Sequence, residues 1–214
     1  MRAVRPTRRV IRADSRGSYL IRQFLVERVS GEPWWRYVHA RILQRAGMRD
    51  TRYDTMRLPQ RATPYDGTRP LRVQNAARTA DRSDGIVSTV GDFLRYSRAL
   101  DSGTLLSEAA REELTEFVPG SYIKGYYGVW RYGWLLGRIF GHLSEGQHAH
   151  GEPGWSSFFI RLPEDRLTVL LFQNKTQAPG DVSVRLLGLL LGCPASAPPT
   201  PEPCTRKELR AAVV

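Results

Sequence analysis

The chain has 214 residues, 41% of them hydrophobic, with five Trp, so it can build a real core in one domain with or without tails. Its formal charge of +11 is unevenly spread: residues 1–22 hold seven Arg and one Asp and supply +6, leaving +5 over the other 192 residues. That remainder is an ordinary solvated surface, which argues against nucleic-acid binding as the main function, and no apolar run approaches the ~20 residues of a membrane span.

Taken in order, residues 1–16 show neither helical nor strand periodicity and read as a basic, mobile arm. Gly17–Ser30 predicts a helix, with Ile21, Phe24, Leu25 and Val29 at helical spacing and Gly31 closing it. Pro33 suits the first turn of a second helix, Trp34–Arg45, whose apolar face is Trp34, Val38 and Ile42. Met48–Asp84 is irregular and rich in Pro and Arg. Thr89 is placed to cap a third helix, with Asp92 three residues on near the capping-box pattern, and Phe93, Leu94 and Leu100 forming its apolar face. Ser107 caps a fourth helix through Phe117.

From Gly120 the pattern changes to glycines interleaved with Tyr and Trp, which predicts strands and turns, Tyr132–Leu136 being the clearest. Trp155–Leu162 and Leu167–Gln173 form a hairpin across the turn Pro163–Arg166, the second run dense enough to be buried on both faces. Asp181 caps a last helix, Val182–Leu191. Helices first, then an antiparallel sheet, then a covering helix is α+β segregation. Residues 193–214 read as a Pro/Ala-rich, disordered tail, in which Cys193 and Cys204 could close a small loop if oxidised but are expected as two free thiols. The spacing of Cys and His supports no metal site. No secretory signal is visible at the start, so the expected location is cytoplasmic.

Four stretches together resemble the serine β-lactamase and penicillin-binding-protein superfamily, in particular its class C β-lactamase, D-alanyl-D-alanine carboxypeptidase and esterase-like branch. Ser18–Thr51 is similar to the family's helical segment ending in Gly-Met-x-Asp-Thr. Gly85–Leu106 is similar to its Gly-x-x-Ser-Thr-x-x-Asp helix start. Tyr132–Leu136 matches a strand before the active-site edge, and the stretch from His148 to Asn174, with Pro153-Gly154-Trp155-Ser156-Ser157, matches its last strands. The likeness covers residues 17–192 and implies an incomplete α+β serine-hydrolase domain, an antiparallel sheet with helices.

The family's chemistry uses Ser-x-x-Lys at a helix start, Tyr-x-Asn, and Lys/His-x-Gly on an edge strand. The first lies upstream of the matched segment in the family. The one literal match, Ser121-Tyr122-Ile123-Lys124, falls in a Gly/Tyr-rich stretch where no helical turn returns Lys to Ser. Where Tyr-x-Asn is due, the chain has Asp14-Ser15-Arg16. The third motif falls at His148-Ala149-His150, with His in place of Gly, or one residue on at His150-Gly151-Glu152. A side chain at the Gly position crowds an incoming substrate.

The resemblance therefore implies a β-lactamase-related hydrolase of amide or ester bonds, truncated or frame-disrupted and weak or inactive as it stands. The catalytic Ser and Lys are absent. Substrate contacts are expected from His148, His150 and Gly151, with a small acyl compound or peptide as partner. No cofactor or membrane partner is implied. Strands missing from the sheet predict an exposed edge and self-association. Two other readings are a non-catalytic ligand- or peptide-binding module of the same fold, and a basic nucleic-acid-associated protein using residues 1–22. His39 and His142 read as a helix-surface and a turn residue, Ser156 and Ser157 as structural, and the aromatic group Trp130–Trp134 as core.

Overall fold

A computed structural model describes residues 16–53, 62–72, 86–116, 122–123, 126–150, 154–176, 180–194, 197, 199–200 and 202–204. Most of the basic arm, all of Ser121 and Lys124, and Gly151 lie outside these residues.

The sheet is a six-stranded antiparallel meander. Its strands are β5 (Tyr122–Ile123), β6 (Tyr126–Arg131), β7 (Trp134–Ile139), β8 (His142–His150), β9 (Ser156–Leu162) and β10 (Leu167–Gln173), and each pairs with its sequence neighbour. Two small ribbons lie outside its strand order, one of them touching its edge through a bridge between Tyr65 and Lys175. β1 (Arg52–Tyr53) pairs with β4 (Ile86–Val87), and β2 (Tyr65–Asp66) with β3 (Arg69–Pro70).

Period-2 alternation along β9 explains why helices cover both faces. Phe158, Ile160 and Leu162 point to α5 (Gly180–Leu190), where they meet Val184 and Leu187 with Ile139, Phe140 and Val169. Phe159 and Arg161 point the other way, toward α3 (Val90–Asp101). There Phe93 meets Phe159 and Phe172 edge-on, and Leu100 packs with Trp134, Leu136 and Phe159. β9 is thus the strand buried on both faces. β10 is mostly half-buried, contrary to the expectation from its density of apolar residues, because it is the outermost strand of the sheet among the described residues.

The helices follow their caps. Thr89 Oγ1 accepts from Asp92 N at 3.1 Å, and Ser107 Oγ accepts from Ala110 N at 3.3 Å at the start of α4 (Glu108–Thr115). The second helix begins as α2 (Trp34–Val38) but widens into a π turn over His39–Leu43. That extra residue moves the inward position from Ile42 to Leu43, so the buried set is Trp34, Leu43 and Ala46. α1 (Arg16–Ser30) joins α2 through Trp34 N, which donates to Glu27 Oε1 at 3.2 Å.

Cys193 and Cys204 are disulfide-bonded, which overturns the expectation of free thiols. The bond returns the chain to the β7–β8 turn, where Phe140 N donates to Thr200 O at 2.6 Å and Pro203 lies against Gly141. Ala197 and Cys204 pack on the α5 core. No helix of the described residues is long and apolar enough to cross a membrane.

Candidate functional site

The third motif lies at the end of β8. This strand is third in the six-stranded order and interior along its first half, so it is not the edge strand the motif predicts. It becomes an edge only locally. Pairing with β7 runs from His142 to Gly146, where Gly146 stands opposite Leu135. Pairing with β9 continues to His150. Among the described residues, Gln147–His150 therefore run past the Tyr132–Gly133 turn with a registered strand on one side, β9. His148 stands opposite Phe158 and His150 opposite Ser156. A strand with one unpaired flank can accept an extended ligand backbone.

The corner next to this overhang is built from three segments. Gly154 has φ +93°, and a Cβ there would lie 2.3 Å from Pro64 Cβ, so only glycine lets the two backbones approach. Gly154 N donates to Thr176 Oγ1 at 3.1 Å, and Trp155 Nε1 to Ala62 O at 3.0 Å. Tyr65 N donates to Asn174 O at 3.0 Å, Thr176 N to Tyr65 O at 3.2 Å, and Asn174 Nδ2 to Thr63 O at 2.8 Å. The irregular segment 62–65 is thus fastened across the ends of β9 and β10, beside the start of the strand that faces His150.

No described serine in this corner is set up as a nucleophile. Ser156 is buried; its hydroxyl donates to Lys175 O at 3.0 Å and accepts from Gln173 Nε2 at 2.9 Å. Its role is structural, as the sequence suggests. Among the described residues no group of three His, Cys, Asp or Glu could hold a metal ion.

Two ionic clusters, each with a buried centre and one exposed member, support the site strand and the helix behind it, and neither is evident from motif reading. Arg161 donates through Nη1 to Glu145 Oε2 at 2.9 Å, and its Nη2 pairs with Asp101 Oδ1. Glu145 and Arg161 are directly opposite in register, so this pair ties β8 to β9, and Asp101 adds the end of α3. Burial pushes the Glu145 carboxyl up while Arg161 pulls it down, with a net rise. Burial likewise raises the Tyr96 phenol. A charge inside the apolar run Ser156–Leu162 was the available signal, since an arginine there needs buried carboxylates.

The second cluster joins the two helical motifs. Asp92 is fully buried. Its carboxylate does not complete a capping box; it turns toward the other motif and accepts from Asp50 N at 2.8 Å and Thr51 Oγ1 at 2.7 Å, and from Arg95 Nη1 at 2.6 Å. Thr51 also shares a 2.7 Å hydrogen bond with Ser88. Burial alone would raise this carboxyl, but the bonds from Thr51, Asp50 N and Arg95 outweigh it and lower it.

The remaining candidates resolve simply. His39 is exposed at the start of the π turn. His142 opens β8, and its Nδ1 lies 2.7 Å from Asp165 Oδ2 across the far turns of the sheet, a partnership absent from the turn-residue reading. Trp134 is core, stacked on Tyr96 and against Phe159. Tyr132 is exposed and donates to Glu113 Oε1 at 2.9 Å.

The family model described as Beta-lactamase matches residues 15–192. Penicillin-binding protein 4* of Bacillus subtilis (strain 168) is 26% identical over 225 residues, which is 93% of this chain and 48% of that protein. The octameric penicillin-binding protein homologue from Pyrococcus abyssi superposes with a TM-score of 0.73 at 20% identity, over 86% of this chain and 43% of that one. The D-amino acid amidase from Ochrobactrum anthropi SV3, complexed with L-phenylalanine amide, gives 0.61 at 24% identity, over 77% and 50%. The chain spans about half the length of the relatives it matches.

Proposed function

Because the chain belongs to the Beta-lactamase family, we propose that its residues supply the sheet side of a serine-hydrolase site that acts on amide or ester bonds through an acyl-enzyme. By themselves the 214 residues turn substrate over weakly or not at all. The observation that carries this reading is the β8 overhang, Gln147–His150, beside the pinned corner at Gly154.

In this reading the substrate lies extended along the free flank of Gln147–His150, and His148, His150 and Gly151 contact it. Either histidine suits a substrate carboxylate or proton transfer near neutral pH. Acylation needs a hydroxyl oxygen to bond to the carbonyl carbon while its proton passes to a base and the amine or alcohol leaves. Ser156 cannot serve, because both of its hydrogen-bonding roles are occupied. In this reading no serine of the described corner is the nucleophile. The amidase named among the structural neighbours favours an amide as the substrate class.

The test is binding and labelling of the same protein. Benzylpenicillin or phenylalanine amide should perturb the ring resonances of His148 and His150 saturably. Fluorophosphonate should label the chain far below one equivalent. Absence of binding overturns the substrate role of this strand, and stoichiometric labelling overturns the absence of a nucleophile.

A binding module without turnover is the second reading, favoured by the occupied hydroxyl of Ser156; a His148→Ala, His150→Ala chain that still binds peptide with unchanged affinity would overturn it. Self-association belongs to the proposal as well. Among the described residues β10 pairs along Leu167–Gln173 with β9, and one of the neighbours is described as octameric. Cytoplasmic placement is the last element. It requires the Cys193–Cys204 pair to be reduced there, so both thiols should react with maleimide in extract quenched at harvest.

A further inference from the structure

α5 is apolar on both sides. Ser183, Val184, Leu187 and Gly188 are buried against the core. On the opposite side Val182, Leu186, Leu189 and Leu190 are 60%, 43%, 56% and 57% exposed, with Arg185 as the charge among them. The four apolar positions fall at i, i+4, i+7 and i+8, one stripe along the helix. A helix apolar all round belongs in an interior, so this stripe needs a cover.

Beside the stripe runs an unguarded strand. α5 lies over β10, the outermost strand of the sheet among the described residues. Toward α5 the strand presents Leu167, Val169 and Leu171. Toward α3 it presents Thr168, Leu170 and Phe172. None of the seven residues Leu167–Gln173 is charged, Pro or Gly, so the side-chain devices that ordinarily protect a sheet edge are missing. The bridge between Tyr65 and Lys175 meets this edge past the end of β10.

Three observations select the partner. Strand N–H and C=O groups without partners are not tolerated in hydrocarbon, so a lipid surface does not suit stripe and edge together. An uncharged strand pairs antiparallel with its own copy without setting like charges opposite one another. The spacing also fits. α5 packs on side chains of both β9 and β10. Seated between them, it lies two strand spacings, about 10 Å, from the α5 of a copy added at β10, and packed helices stand roughly 8–10 Å apart. Resting on the self-association within the proposed function, we infer that a second copy of this chain covers the face, with β10 joined to β10 antiparallel about a twofold axis normal to the sheet. That axis keeps both α5 helices on one face of a continuous sheet, each covering the stripe of the other. The contact is isologous and closes at two copies.

The test is sedimentation of the full chain over a concentration series, read beside hydrogen exchange. A monomer–dimer equilibrium with nothing larger is expected. Exchange of the β10 amides that point away from β9 should slow as the dimer fills, while amides between β8 and β9 stay unchanged. Leu189→Lys with Leu190→Lys should weaken the dimer roughly a hundredfold or more. Both side chains are more than half exposed in the monomer, and a cation suits a helix C-terminus, so the melting temperature at low concentration should hold. Where the double variant melts lower, the exchange series on the wild-type chain decides alone. A chain monomeric throughout, a dimer with unchanged β10 exchange, or a dimer indifferent to the substitutions overturns the inference. So does growth into open-ended oligomers, and so does co-sedimentation with phosphatidylglycerol vesicles that the substitutions abolish, which assigns the stripe to lipid. The hydrolase reading is tested separately by phenylalanine amide. A monomeric chain in which it shifts His148 and His150 overturns the dimer and leaves that reading standing; a dimer without those shifts does the reverse.

Discussion

Thr51 and Asp92 are 41 residues apart in sequence and share a 2.7 Å hydrogen bond in the interior. The loop after the second helix and the start of α3 are therefore one mechanical unit, although the chain between them includes most of the irregular segment. Hydrogen bonds to a buried charge contribute about 1.5–3 kcal/mol. Thr51→Val should destabilise the fold by that amount, seen in urea unfolding as a lower midpoint with an unchanged slope. An unchanged midpoint would mean that the helices dock without this bond.

The same carboxylate sets part of the pH dependence. Its folded pKa lies below its unfolded value near 3.8, so the contribution to stability is complete above that value and is lost as pH falls through the folded one. Stability should therefore drop below about pH 4. Asp92→Asn should be less stable at pH 7 and show a flatter acid limb in a pH series of melts. A parallel limb in the variant would assign the acid sensitivity to other groups.

Arg161 is the only described cation between β9 and α3 with two carboxylate partners, Glu145 and Asp101. Removing it leaves Glu145 buried with only the weaker influence of Arg111 to offset its charge. Arg161→Met should cost about 3–5 kcal/mol, and Arg161→Met combined with Glu145→Met should recover part of that loss. A double variant no more stable than the single would show that the pair is needed for more than charge balance.

Gly154→Ala places a methyl against Pro64 at a left-handed backbone position. Strain of about 1–3 kcal/mol is expected, and the fastening of 62–65 should loosen. Hydrogen exchange should show it directly, as faster exchange at Tyr65 N and Thr176 N with β9 protection retained. Unaltered exchange at both amides would separate the corner from the glycine.

The disulfide closes a loop with a sequence separation of 11 residues. Replacing both cysteines with serine should cost about 3 kcal/mol by the chain-entropy relation. Dithiothreitol should lower the melting temperature of the wild-type chain to that of the variant, and a reductant-insensitive melt would sink this account.

Much of this architecture is legible in the chain. The hairpin across Pro163–Arg166, the caps at Thr89 and Ser107, and the covering helix near residues 180–191 are all local patterns, and local patterns survive folding. What escapes is what depends on neighbours. Leu167–Gln173 looks like a central strand because density of apolar residues records burial, not position in the sheet. The π turn is invisible because one extra residue in a helix leaves the composition unchanged. Asp92 fits a capping box by spacing, yet its carboxylate is spent on a partner 41 residues away. The candidate site is only half legible. His148 and His150 are proposed from the motif, while in the corner beside them every bond has at least one backbone partner, which carries no sequence signature.

The way β8 outruns β7 sets a ruler. Four residues at roughly 3.3 Å each give a stretch of about 13 Å with no registered partner beyond β9 among the described residues, beside the Tyr132–Gly133 turn. In the proposed function, a ligand that pairs with it engages three or four backbone units before it must bend away. Affinity should climb with the first few residues of an extended acyl compound and then level off, so the length of a peptide, more than its side chains, would report where on this sheet it lies.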